Sequence, residues 1–173
     1  NRTMIYDAAA QEWLEGTPAP AARYGGAASA VADGRIYILG GWERLGAAED
    51  TASGQVLVYD PAVDAWDRGP DLPVPVVGGA VVALDDSLYL LGGATASGET
   101  SANVWVLRLG ADRWEPGPAL LKAVRDAVAV EVSGRIYVAG GKPEGPAEAR
   151  GPLQVLDVGR SEWREGLEVP LPV

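Results

Sequence analysis

Arg35-Ile36-Tyr37-Ile38-Leu39-Gly40-Gly41 returns as Ser87-Leu88-Tyr89-Leu90-Leu91-Gly92-Gly93 and again as Arg135-Ile136-Tyr137-Val138-Ala139-Gly140-Gly141. In each copy a tyrosine stands three residues before the first of two glycines. Self-similarity at a period of tens of residues marks a repeat architecture, in which each unit buries its apolar face by stacking on its neighbours. The runs 36–39 and 88–91 are apolar without alternation. A sheet with one wet face alternates apolar and polar residues, so a short continuous run between turns implies a strand buried on both faces.

Working outward, a second column appears. Val58-Tyr59-Asp60, Val106-Leu107-Arg108 and Val155-Leu156-Asp157 are followed, six residues after their last member, by Trp66, Trp114 and Trp163. Met4-Ile5-Tyr6-Asp7 and Trp13 show the same spacing with no glycine pair before them. Small-residue runs at 27–32, 79–84 and from Ala127 precede the quoted stretches, separated from them by Asp33-Gly34, Asp85-Asp86 and Ser133-Gly134. Asp-Gly between apolar runs favours a two-residue hairpin, because glycine tolerates the positive φ required.

The spacing predicts an all-β chain of four-stranded antiparallel units, strands a to d, each about 50 residues long. Residues 24–76, 77–124 and 125–173 are three repeats, and 1–23 is the tail of another with its connection. In the first repeat strand b is expected at 35–39, a polar loop at 42–54 and strand c at 55–59. The later loops fall at 94–102 and 142–151, and the later third strands at 103–107 and 152–156. No stretch has helical periodicity uninterrupted by Pro or Gly. The first strands are rich in Ala and Gly, which suits the crowded inner end of a tapering blade.

These columns resemble the kelch repeat of β-propellers, which has a glycine pair ending the second strand, a tyrosine just before it and a tryptophan on the outermost strand. The resemblance covers essentially the whole chain through Tyr37, Gly40, Gly41, Trp66, Tyr89, Gly92, Gly93, Trp114, Tyr137, Gly140, Gly141 and Trp163. Glycine leaves room where another backbone or ring approaches closely, and the aromatics fill the space between blades. The tyrosines and tryptophans therefore read as core, and the glycine pairs as hinges rather than a phosphate cradle, since no helix start follows them. The position where many kelch repeats carry His is not His here. Propellers close with about 4 to 8 blades, so three blades and part of a fourth are expected to form an incomplete ring. Its missing blades would come from a longer chain, a second copy or another subunit.

Composition narrows the function. A net charge of −10 disfavours binding to a phosphate backbone, whose affinity rests on Lys and Arg. The chain has no Cys and no His, which removes thiolate chemistry, Cys-ligated zinc and the commonest general base. No apolar run reaches the length of a membrane span. Asp85-Asp86 and Glu49-Asp50 are adjacent carboxylates of the kind that solvated turns carry. No catalytic residue, metal or cofactor is expected.

An up-and-down blade sends its b–c loop and its d–a connection to one face, and its a–b and c–d turns to the other. The first face carries the long, variable loops, where binding residues sit on rigid scaffolds. Candidate binding residues there are Arg23, Trp42, Arg44, Arg125, Lys142 and Arg150. Resemblance to kelch proteins implies a non-catalytic scaffold that holds a protein or peptide through the b–c and d–a loops. A segment of a kelch-type sugar mutarotase, epimerase or glycan-binding propeller is the alternative, and an extracellular structural module is a third.

Overall fold

The computed structural model describes the backbone of residues 1–44, 50–145 and 151–166, and every regular element in them is a β-strand. Both residues of Asp33-Gly34 (φ 48° and 69°) and of Ser133-Gly134 (54° and 74°) have positive φ, the geometry whose twist matches that of a hairpin's strands.

Strands β1 (Thr3–Asp7) and β2 (Glu12–Gly16) pair as an isolated hairpin. The first blade contains β3 (Gly25–Ala32), β4 (Arg35–Arg44), β5 (Asp50–Ala52), β6 (Val56–Asp60) and β7 (Ala65–Arg68). Its order is β3-β4-β6-β7, with β5 on the far end of β4. The second blade is β8 (Ala80–Leu84), β9 (Ser87–Leu91), β10 (Val104–Arg108) and β11 (Glu115–Pro116), hydrogen-bonded in that sequence. In the third, β12 (Val124–Arg125) leads into β13 (Val128–Val132) and β14 (Arg135–Ala139). The short β15 (Lys142–Pro143) pairs back on β12, and β16 (Gln154–Asp157) and β17 (Glu162–Glu165) complete the sheet. Among the described residues, the four-stranded antiparallel blade therefore occurs three times.

Strand boundaries correct the sequence reading at the glycine pairs. Strand β4 does not stop at Leu39. It runs through Gly40-Gly41 to Arg44, where Trp42, Glu43 and Arg44 pair with Ala52, Thr51 and Asp50. The stretch 42–54 is thus partly a ladder. Unpaired backbone groups beside a packed sheet are costly, and the mixed Trp-Glu-Arg sequence carried no apolar alternation to announce a strand. The third strands begin later than expected, at Val56, Val104 and Gln154.

Two joints hold the core. Between blades one and two, Tyr37, Leu39, Val56 and Val58 meet Leu88, Leu90, Leu107 and Trp114. Between blades two and three, Val82, Leu91 and Val104 meet Ile136, Val138 and Leu156. Strand β9 is therefore buried from both sides, with Leu88 and Leu90 at 0% and 1% exposure, as its unbroken apolar run required. Each such side chain contributes about 1.5–3 kcal/mol.

The motif columns are the joints' fasteners. The Gly41 N–H donates to the Val76 carbonyl (2.8 Å) and the Gly93 N–H to that of Val124 (2.8 Å), each in the lead-in of the next blade. A Cβ on Gly40 or Gly92 would run into those same oxygens. The tryptophans reach the other way. Nε1 of Trp66, Trp114 and Trp163 donates to the carbonyls of Thr17, Pro70 and Pro118, at 2.9, 2.9 and 2.8 Å. Each acceptor lies four residues past the tryptophan of the preceding unit. Trp13 is 64% exposed and has no such partner among the described residues. Tyr37 is buried, while Tyr89 and Tyr137 are half-buried.

Candidate functional site

On the rim where the b–c segments leave, the residue after each glycine pair faces the lead-in of its own strand a. Gly25 pairs with Trp42, Val77 with Ala94 and Arg125 with Lys142. The next residue along the lead-in is Gly26, Gly78 or Asp126, all with positive φ (64°, 63° and 56°). These three link successive blades through the backbone, the Gly78 N–H donating to Gly26 O (2.7 Å) and the Asp126 N–H to Gly78 O (2.7 Å). Three equivalent rim positions thus share one backbone and carry different chemistry: Gly-Gly-Trp, Val-Gly-Ala and Arg-Asp-Lys.

Blade three turns this position into a charged cluster. Arg125 Nη1 lies 3.3 Å and Lys142 Nζ 3.8 Å from Asp126 Oδ2. All three side chains keep substantial contact with solvent, so the pairs contribute little to stability, about 0–1 kcal/mol each. Two cations around one carboxylate leave a local positive excess on a chain of net charge −10. Asp126 also holds a left-handed conformation that disfavours side chains, though Asp tolerates it better than most. Sequence reasoning missed this residue. Its signal was the break in the Gly26–Gly78 column.

The remaining candidates divide. Trp42 is half-buried and packs against Ala52, Val77 and Ala94, so it bridges from blade one to the rim of blade two. The Arg23 side chain is only 6% exposed and faces Glu43 Oε1 at 3.3 Å. Its Nε donates to Gly40 O (3.0 Å), and Nη2 to Gln55 Oε1 (3.0 Å). That fork ties the lead-in of blade one to its glycine pair and leaves little of the guanidinium for a ligand. Arg44 ends β4, but its side chain, like all of Arg150, lies outside the described residues.

Gln154, also unmarked by the sequence reading, is fully buried where the other blades have Leu57 and Trp105. Its Oε1 accepts from Lys122 N (2.9 Å) and its Nε2 donates to Lys122 O (3.1 Å). This amide-to-backbone pair fastens β16 to the incoming connection.

Displaced titrations belong to the joints and the opposite face. The Tyr59 hydroxyl (2.7 Å) and the Thr17 N–H (2.8 Å) both donate to Asp64 Oδ1, holding that carboxyl below its ordinary range, the tyrosine bond first. Arg35 does the same to Asp60 across 3.1 Å. Burial, and then Asp85, push the Tyr89 hydroxyl up. Among the described residues, no helix is long and apolar enough to cross a membrane.

The family model of the Kelch motif matches residues 23–73. Kelch-like protein terF of Aspergillus terreus is 40% identical over 95 residues, covering 54% of this chain and 20% of that protein. Human Kelch-like protein 33 is 32% identical over 103 residues, 59% of this chain and 18% of its own. Alpha-scruin of Limulus polyphemus is 34% identical over 92 residues, 53% of this chain and 10% of its own. The matched stretch spans about a fifth or less of each of these relatives. The solved structure of YjhT superposes with a TM-score of 0.83 at 15% identity, covering 99% of this chain and 60% of YjhT. At that identity the likeness is one of fold.

Proposed function

The chain is a kelch-repeat protein folded as successive β-propeller blades, and on that premise we propose that it is a non-catalytic scaffold. It holds a protein or peptide partner on the rim formed by its b–c loops and d–a connections. One observation carries the reading: three equivalent positions on a shared backbone bear Gly25-Gly26-Trp42, Val77-Gly78-Ala94 and Arg125-Asp126-Lys142. Variation without change of fold is what a binding rim on a rigid frame shows. Trp42 supplies an aromatic anchor, and Arg and Trp are enriched among the residues that carry binding energy. The cation pair of blade three suits a carboxylate-bearing segment.

Catalysis on the inner strands finds little support. Strands β3, β8 and β13 consist of Gly, Ala, Ser, Val and Leu with one glutamate. That Glu131 accepts from the Gly134 N–H at 2.8 Å, within its own hairpin.

A panel of fluorescent peptides, acidic, neutral and basic, tests the reading by anisotropy. Acidic peptides are expected to bind, with affinity falling as salt rises. Arg125→Ala with Lys142→Ala should weaken them about tenfold or more while the thermal midpoint stays put. Indifference of every peptide to this double substitution would refute the proposal.

A further inference from the structure

We propose that the cleft between blades two and three, on the face opposite the rim, binds a small organic monocarboxylate. Arg108 holds the carboxylate, and the ligand's apolar body lies between the blades. This site is separate from the rim described above and does not depend on it.

In blades one and three an arginine opens strand b, an aspartate closes strand c, and the two meet. Arg35 Nε lies 3.1 Å from Asp60 Oδ2, and Arg135 Nε 3.7 Å from Asp157 Oδ2. Blade two departs from this rule. It sets Ser87 opposite Arg108, so the cation stands on strand c and a hydroxyl takes the place of its partner. Among the described residues, no hydrogen bond or ion pair engages the Arg108 guanidinium. The clefts between blades differ accordingly. The one between blades one and two, with Arg35 and Asp60 in its lining, measures about 420 Å³. Its equivalent between blades two and three, with Ser87 and Arg108 in its lining, measures about 670 Å³, within the range of small-molecule sites.

The lining supplies contacts for both halves of such a ligand. Val106, Pro116, Leu156 and Val158 give it apolar walls from the two blades. Ser87 and Tyr89 bring hydroxyls from blade two, and Ser161 one from blade three. Tyr89 is half-buried, and burial, then Asp85, push its hydroxyl up, so it remains a hydrogen-bond donor at neutral pH. An unengaged guanidinium is a planar fork whose N–H groups match the two oxygens of a carboxylate. The other charges select the class of anion. Arg113 is taken up by Glu115, 3.3 Å away, and Asp112 also lines the cleft. One available cation with a carboxylate nearby accepts a single negative charge and disfavours a phosphate dianion or a polyanion.

The test follows the amide resonances of the 173-residue chain as 1-naphthoate is added. Saturable shifts are expected at Ser87, Tyr89, Arg108 and Ser161, with 1-naphthyl phosphate binding more weakly and the neutral 1-naphthamide not at all. Arg108→Gln should weaken 1-naphthoate about tenfold or more, the scale of hydrogen bonds to a charged group, with the thermal midpoint unchanged. Ser87→Arg with Arg108→Asp rebuilds in blade two the pair of the adjacent blades and should abolish binding. Arg125→Ala with Lys142→Ala, on the rim, should leave it intact. Undiminished binding to Arg108→Gln, equal binding of the amide, tighter binding of the phosphate, shifts confined to the rim, or no saturation up to the probe's solubility limit would each overturn the proposal.

Discussion

Trp105 and Trp114 stand nine residues apart and have opposite hydrogen-bonding fates. Trp114 Nε1 donates to Pro70 O at 2.9 Å. Trp105 packs against the same joint, but its indole N–H is buried without a partner among the described residues. A buried donor left unsatisfied costs about 1–3 kcal/mol, whereas a satisfied one contributes about 1. Trp105→Phe is therefore expected to leave stability unchanged or raise it, and Trp114→Phe to lower it by about 1 kcal/mol. Urea unfolding followed by far-ultraviolet circular dichroism reads both. The tryptophan column was legible because it recurs. Its acceptors were not, since a backbone carbonyl on the preceding blade has no sequence signature.

The β1–β2 hairpin is held to blade one by a small polar knot. Trp66 Nε1 donates to Thr17 O (2.9 Å), and Asp64 accepts from Tyr59 and Thr17. Asp64 and Asp60 have folded-state pKa values lowered by these bonds. Such a group contributes stability that is present above the unfolded value, about 3.9, and is lost as pH falls through that value toward the lower folded one. Asp64→Asn should thus lower the thermal midpoint at pH 7, with the gap from the parent narrowing as pH drops below about 5. A gap independent of pH would mean that the carboxylate's charge does not hold the element. Hairpin turns such as Asp33-Gly34 were readable because the needed φ lies in two residues. The ladder at 42–44 depends on a partner, β5, and was not.

Across the whole molecule, stacking decides what each apolar residue is worth. Val82 and Val130 occupy the same place in strand a of blades two and three. Val82 is 8% exposed beneath blade three, whereas Val130 is 49% exposed, with Val128 and Val132 beside it on the same face. Val82→Thr should cost about 1–3 kcal/mol for burying a hydroxyl without a partner. Val130→Thr should stay within about 0.5 kcal/mol. Chemical denaturation of the pair isolates the neighbouring blade as the only variable. The two faces at the ends of the stack are otherwise built from the same columns as the joints inside it.

The sequence by itself determined the phase of the blades, the hairpin turns and the two-sided burial of strand b. These are local or periodic properties, carried by residue type and spacing along one dimension. Only the tertiary structure decided which polar groups are satisfied. Arg23 and Arg125 looked alike in the sequence. One is buried against Gly40 O, Gln55 and Glu43, while the other stands on the rim beside Asp126 and Lys142. Whether a cation is engaged or available depends on which distant groups the folded blades bring within hydrogen-bonding reach. No periodicity along the chain records that distance.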